Sequence, residues 1–282
     1  MFLQLLLLPF LLLRHLLGME YPLTDRWQRP LILLPGAKKP EPFTRVTTVA
    51  KTLSGQEALS EWKARMVAEG ACLRPDVLAQ YAASLPSTPE NKALQNGLCE
   101  SLKEAAAASS GANLGDALHS MTARIDRGEK FRPLPPHDVS IKAYQECLQR
   151  HGVQILPEYV EQTVVLPGLK VAGSFDRLIQ KAGRCFIFDL KTGKDLSYSW
   201  TEIAIQLSLY AHAEYLYDWD TQTCSPMPEV DQKIGLVLWL PAGKAEASLH
   251  VVDIVAGWEA AQTAMAVRAW RTRKDLAREA HH

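Results

Sequence analysis

Residues 173–193 read GSFDRLIQKAGRCFIFDLKTG, and this stretch decides the fold. Leu178, Ile179, Phe186, Ile187 and Phe188 are strand formers, and the turn chemistry lies between them, in the run from Lys181 to Arg184. A β-hairpin with an even loop centred between Ala182 and Gly183 pairs residues equally far from that centre, so Asp176 falls opposite Asp189. Side chains alternate faces along a strand, which puts Ile187, Asp189 and Lys191 on one side. Two carboxylates then face each other with Cβ atoms about 5 Å apart. Like charges so placed repel, and a bound cation resolves the conflict.

Working outward, Glu158–Leu166 reads as a strand ahead of Leu169–Gln180 and Arg184–Leu190. After the hairpin, the four residues from Ser199 to Glu202 form a capping box, and the run IAIQLSLYAHAEYLY behind it reads as one helix. Lys233–Leu240 and Leu249–Val255 read as two more strands, followed by a helix from Trp258 to about Arg278. Before the sheet the pattern is helical: Ala58–Glu69, Pro75–Leu85, Pro89–Ala107 behind a capping box at Ser87 to Glu90, a helix from Gly111 to about Arg127, and Asp138–Arg150. This order predicts an α/β fold, a mixed β-sheet flanked by helices, with a helical N-terminal subdomain.

The 282 residues carry 31 Lys+Arg against 31 Asp+Glu and are 47% hydrophobic and 22% charged, which excludes a disordered or low-complexity chain. Neutrality also removes the basic excess that draws nucleic acid from a distance, so positive charge for such a partner must be local. Cys72, Cys99, Cys147, Cys185 and Cys224 form no CxxC pair, which excludes a disulfide framework or zinc ribbon and points to buried thiols in a reducing compartment. Residues 2–13 read FLQLLLLPFLLL, shorter than the about 20 apolar residues of a membrane span. With Pro9 inside, no basic residue ahead and no small-residue cleavage site, the run also makes a poor secretory signal. The favoured reading is a Leu-rich extension over 1–18, with the functional protein starting at Met19.

The opposed carboxylates define a chemistry. With the Leu190 carbonyl as a neutral oxygen at the strand end, Asp176 and Asp189 suit a hard divalent ion such as Mg²⁺ or Mn²⁺. Lys191 is a cation and so no ligand, but it is placed to orient an attacking water or meet a substrate phosphate. Metal, carboxylates and lysine together suit phosphodiester hydrolysis.

Asp176, then Asp189 and Lys191 one residue apart, resembles the signature of the PD-(D/E)XK nuclease superfamily, with Asp in the variable position. Gly115 to His119 is similar to the helical histidine motif of one branch, which includes the nuclease domain of the RecB recombination enzyme and related phage exonucleases. Gly173 to Asp176 is similar to that branch's GxxD strand, and Gln206 to Tyr210 to its QxxxY helix. These motifs stand in the branch's order between Leu114 and Tyr210. The resemblance implies a restriction-endonuclease-like nuclease core over 111–282 behind a helical region over 19–110. It implies His119, Asp176 and Asp189 as metal ligands with the Leu190 carbonyl assisting, Lys191 as catalytic together with Asp176 and Asp189, and Gln206 and Tyr210 as substrate-binding residues.

The activity implied is that of a Mg²⁺-dependent DNA exonuclease, with Mn²⁺ as the alternative ion, in phage-type recombination or replication. Its setting would be the cytoplasm, the host cell's if the chain is phage-encoded. DNA is the implied partner; a single-strand annealing or recombination partner protein and a homo-oligomer are left open. Some relatives hold an iron–sulfur cluster on four cysteines, three of them near the C terminus; here only Cys224 follows Cys185, and no cluster is expected. The alternative is a non-catalytic DNA-binding or recombination-accessory protein that keeps the nuclease fold. The intact Asp176, Asp189 and Lys191 weigh against it.

Each residue also has a plain structural reading. His119 could be a polar helix residue, Asp176 a partner of Arg177 or Arg184, Asp189 and Lys191 a surface ion pair, and Tyr210 core alongside Ile203 and Leu207. Glu161 is a further acidic candidate or a solvated strand residue. Local positive charge for DNA is expected from Lys191, Lys194, Arg177 and the last helix, which carries Arg268, Arg271, Arg273, Lys274 and Arg278.

Overall fold

A computed structural model describes residues 23–277 of the chain, apart from 56 and 109. The Leu-rich stretch over 1–18, the start at Met19 and Arg278 lie outside the described residues. The chain opens with β1 (Leu31–Ile32), β2 (Glu41–Pro42), β3 (Thr44–Arg45) and α1 (Val46–Ala50). Five longer helices follow: α2 (Glu57–Leu73), α3 (Pro75–Ala83), α4 (Lys92–Ala105), α5 (Ser110–Asp126) and α6 (His137–Arg150). Then come β4 (Gln154–Leu166), β5 (Val171–Lys181), β6 (Arg184–Lys191), α7 (Trp200–Ala211), β7 (Tyr215–Asp218), β8 (Thr223–Pro226), β9 (Ile234–Trp239), β10 (Ser248–Asp253) and α8 (Ile254–Arg271).

The expected mixed sheet flanked by helices is present. Its strands run in the order β10-β9-β6-β5-β4-β7-β8, with β3 beside β5, and β6–β9 and β3–β5 are the parallel pairs. Ala182 and Gly183 make the hairpin turn with φ of +48° and +75°, and the mirror-image twist of such a turn matches that of the strands it joins. Lys181 pairs with Arg184 and Arg177 with Phe188, the register that the hairpin symmetry requires, and the pairing ends there, one step short of Asp176 and Asp189.

One edge of β5 is shared. β6 pairs with it over residues 177–181 and β3 at Val171 and Ala172, so residues 173–176 lie between the two partners. β6 meanwhile continues along β9 to Lys191. The sheet therefore forks at Asp176 and Asp189.

One face of the sheet carries α1, α7 and α8 over a core that includes Val46, Val49, Phe175, Leu178, Ile187, Ile205, Tyr210 and Val237. The other carries α5 and α6 over Leu118, Tyr144, Ile179, Phe186, Phe188 and Leu190. Each fully buried apolar side chain stabilises the fold by about 1.5–3 kcal/mol relative to an exposed one. α1 thus packs into the main core, whereas α2, α3 and α4 share a separate small core of Val77, Leu98 and Leu102.

Several local expectations are corrected. The helix after the hairpin ends at Ala211, and Tyr215–Asp218 is a strand paired with β4 through Thr163 to Val165. The box from Ser199 to Glu202 does not close: Ser199 makes no side-chain cap, and Glu202 accepts instead from Ser54 Oγ at 3.0 Å. At α4 the reciprocal bonds form one residue later than expected, from Thr88 N–H to Asn91 Oδ1 and from Asn91 N–H to Thr88 Oγ1. The last helix begins four residues before Trp258, because Asp253 accepts from the N–H groups of Val255 and Ala256 at 2.9 and 3.1 Å. Of the cysteines, Cys147 is buried, Cys72 is exposed and the others are half-buried, all as free thiols. Among the described residues no helix is long and apolar enough to cross a membrane.

Candidate active site

Two glycines let helices approach the fork. A Cβ on Gly173 would lie 2.8 Å from Val46 Cβ and 3.1 Å from Tyr210 Cε1, so α1 and α7 close over β5 only if this residue has no side chain. A Cβ on Gly115 would lie 2.5 Å from Thr192 Oγ1, and this approach brings α5 against the end of β6. His119, one turn further along α5, then places Nδ1 3.4 Å from Asp176 Oδ2.

Side-chain alternation along β5 slips at the fork. Phe175 and Leu178, three residues apart, both face the α7 side. Asp176 uses this irregular point to accept the Leu190 N–H through Oδ2 at 2.8 Å. The N–H and C=O of one strand residue point the same way, so the Leu190 carbonyl is directed toward the same gap.

Asp189 is 2% exposed. Its buried Oδ2 stands 2.7 Å from Lys191 Nζ, a contact of charges without the alignment of a hydrogen bond, and has no hydrogen-bond partner among the described residues. Lys191 Nζ donates to Gln206 Oε1 at 3.1 Å, and Gln206 Nε2 donates to Tyr210 Oη at 3.1 Å. Tyr210 itself is 1% exposed and meets Phe175 edge-on, with ring centroids 6.3 Å apart. Gln206 thus reaches the centre directly, and Tyr210 reaches it through Gln206.

Burial pushes the Asp189 carboxyl above the usual carboxylate range; the Asp176 charge adds to this, while Lys191 opposes it. Burial also acts on Asp176, but His119, the Arg177 and Lys191 charges and the Leu190 N–H hold it below that range. Lys191 is pulled down by burial yet ends above its ordinary value because Asp189 and Asp176 face it, so it is an ammonium at neutral pH. A carboxyl whose folded value is raised contributes stability below its unfolded value and loses it as pH rises through the folded one. Without metal, Asp189→Asn should therefore gain melting temperature relative to wild type as pH rises from 4 to 7. Thermal melts in EDTA check this; a difference that stays flat or falls contradicts it.

The buried Asp189 oxygen, which has no hydrogen-bond partner among the described residues, the nearby Asp176 and the inward carbonyl fit a hard divalent ion, which takes one or two carboxylates and keeps several waters. Among the described residues no three His, Cys, Asp or Glu side chains are gathered as a ready cage, so water must complete the shell.

Two expectations about charge change. Arg177 is 1% exposed and cannot reach DNA: its Nε donates to Asp126 Oδ2 at 2.6 Å, an Nη to Thr122 Oγ1 at 2.7 Å, and the other Nη lies 3.6 Å from Asp176 Oδ2. Glu161 is paired with Arg127, and Arg184 with Asp231. On the last helix Trp258 stacks on His212 with centroids 4.0 Å apart, and Arg273 pairs with Asp275 just beyond the helix end. Lys194 remains exposed beside the site.

The sequence reading missed Thr122, Asp126 and Tyr144, which fix Arg177 behind Asp176; Tyr144 Oη donates to Asp126 Oδ2 at 2.7 Å. The signal was present: Gly115, His119, Thr122 and Asp126 recur at helical spacing, a small and polar stripe along one face of α5.

A protein-family model for the PD-(D/E)XK nuclease superfamily matches residues 91–272, from α4 to the end of α8. No curated protein matches the chain. A solved structure described as the crystal structure of SSO0001 is similar over 46% of this chain and 57% of that one, at 12% identity and a TM-score of 0.24.

Proposed function

This chain belongs to the PD-(D/E)XK nuclease superfamily, and on that footing we propose that it is a metal-dependent deoxyribonuclease, an exonuclease of the RecB-like and phage type acting in recombination or replication in the cytoplasm. The observation that carries the reading is the sheet fork, where the buried Asp189 carboxylate, Asp176 and the Lys191 ammonium, 2.7 Å from Asp189 Oδ2, converge. Asp176, Asp189 and the Leu190 carbonyl would hold Mg²⁺ or Mn²⁺, with His119 at the Asp176 side. The chemistry such an ion supplies is polarisation of the phosphoryl oxygen and activation of the attacking water. Lys191 orients that water and meets the charge that develops on the phosphate. Gln206 aims the ammonium, and Tyr210 holds Gln206 in turn.

The test is digestion of end-labelled linear and closed circular DNA in Mg²⁺, Mn²⁺ or EDTA. The expected result is metal-dependent loss of linear DNA with circles spared. Cutting of circles would replace the exonuclease reading with an endonuclease one. Binding without cleavage in either metal would return the non-catalytic alternative.

A further inference from the structure

A cleft of about 350 Å³ opens at the Lys191 end of β6, with Asp195, Ser197, Trp200, Trp239 and His250 among its walls. Trp239 is the register partner of Lys191 on the parallel strand β9. Partners on neighbouring strands lie about 4.8 Å apart and present side chains to the same face, so Trp239 and Lys191 leave the sheet side by side. Its Nε1 donates to the Gly193 carbonyl at 2.7 Å, which fixes the ring. The His250 imidazole on β10 lies 5.2 Å from the Trp200 ring and 6.0 Å from the Trp239 ring, centroid to centroid. Three half-buried rings thus face one cleft, and Tyr198, next in the chain to Ser197 of its wall, is 90% exposed.

The charge in the wall selects what enters. Asp195 is a carboxylate, held by the Ser197 N–H at 2.8 Å and Ser197 Oγ at 2.6 Å. A carboxylate turns phosphate away but accepts from the exocyclic amino group of a base, while aromatic faces stack on any base. Phosphates are left to Lys191 and Lys194 outside. We infer that the cleft is a stacking subsite for one unpaired nucleobase of a DNA strand whose scissile phosphate lies at the Asp176–Asp189 fork, one or two nucleotides away. The inference rests on the nuclease reading and deepens it: a paired base must leave its stack to enter, so the preferred substrate is a single-stranded end or tail.

The experiment uses the full chain in Mg²⁺ and single-stranded oligonucleotides with one abasic residue moved stepwise along the strand. In wild type, an abasic residue at one position within two nucleotides of the cut should raise KM by about 5- to 150-fold, the range that stacking of one base supplies. Trp200→Ala should show a similarly raised KM on the intact oligonucleotide and lose its sensitivity to the abasic position. His250→Ala, a half-exposed site on the edge strand, should show the same loss in weaker form and serves if Trp200→Ala does not fold. A wild type that cleaves all the abasic strands alike, or variants that keep full abasic sensitivity, would overturn the subsite and leave the nuclease reading standing. A wild type that cleaves no DNA in any metal removes the nuclease reading, and the subsite with it.

Discussion

Lys191→Ala is expected to lower metal-dependent DNA cleavage by about 10²- to 10³-fold, the loss that follows removal of one preorganised group facing developing charge. The same variant should keep the rise in melting temperature that Mg²⁺ gives the wild type, because the ammonium holds no metal. Asp189→Ala is expected to lose both. Its carboxylate is buried, its Oδ2 has no hydrogen-bond partner among the described residues, and the Lys191 ammonium stands 2.7 Å from it. Stabilisation by a ligand grows with its concentration over its dissociation constant, so a thermal melt across a Mg²⁺ series reads binding without turnover. If Asp189→Ala melts higher with Mg²⁺ to the same extent as wild type, the ion sits elsewhere. If Lys191→Ala loses the thermal shift as well, the separation of the two roles fails.

The largest effect on stability is expected at Arg177. The guanidinium and its partner Asp126 are 1% and 4% exposed, and Tyr144 and Thr122 complete the hydrogen bonds around them. Burial alone raises the Asp126 carboxyl, and Arg177 opposes that rise. Arg177→Met therefore strands a buried acid, and breaking such a pair by removing one partner costs about 3–5 kcal/mol. Equilibrium urea unfolding should show this as a lower midpoint at unchanged slope. Removing both charges, as Arg177→Met with Asp126→Leu, should recover part of the loss, since no uncompensated charge remains. A single variant within about 1 kcal/mol of wild type would mean that water reaches Asp126 and the cluster is no structural unit. The cluster also backs Asp176, so Arg177→Met should weaken catalysis even where the protein stays folded.

Much of this was legible before any coordinates. The hairpin register follows from one turn, because in a two-residue loop the pairing of every later residue is fixed by distance from the centre. That local rule fixes the pairing from Lys181–Arg184 to Arg177–Phe188 and so brings Asp176 and Asp189 to the end of the paired stretch. Caps were less legible. Ser199 and Glu202 have the right spacing, but Glu202 is drawn to Ser54, a residue 148 positions away that no local pattern can anticipate. Tyr215–Asp218 follows a helix with only three residues between and shows its strand nature through pairing with β4.

The sequence by itself determined the strand character of residues 173–181 and 184–191, the hairpin turn between them, the helix carrying His119 and the α/β order of elements. Each depends on residues close together in the chain, where spacing alone fixes geometry. Only the tertiary structure decided that Arg177 is a buried support rather than a contact for DNA, that the sheet forks between β3 and β6 to leave residues 173–176 facing the site, and that Trp200, Trp239 and His250 share one cleft. Burial and long-range pairing decide these features. An arginine's sequence neighbours do not show whether an aspartate 51 positions earlier will meet it, and no local spacing predicts a contact between strands that the chain visits far apart.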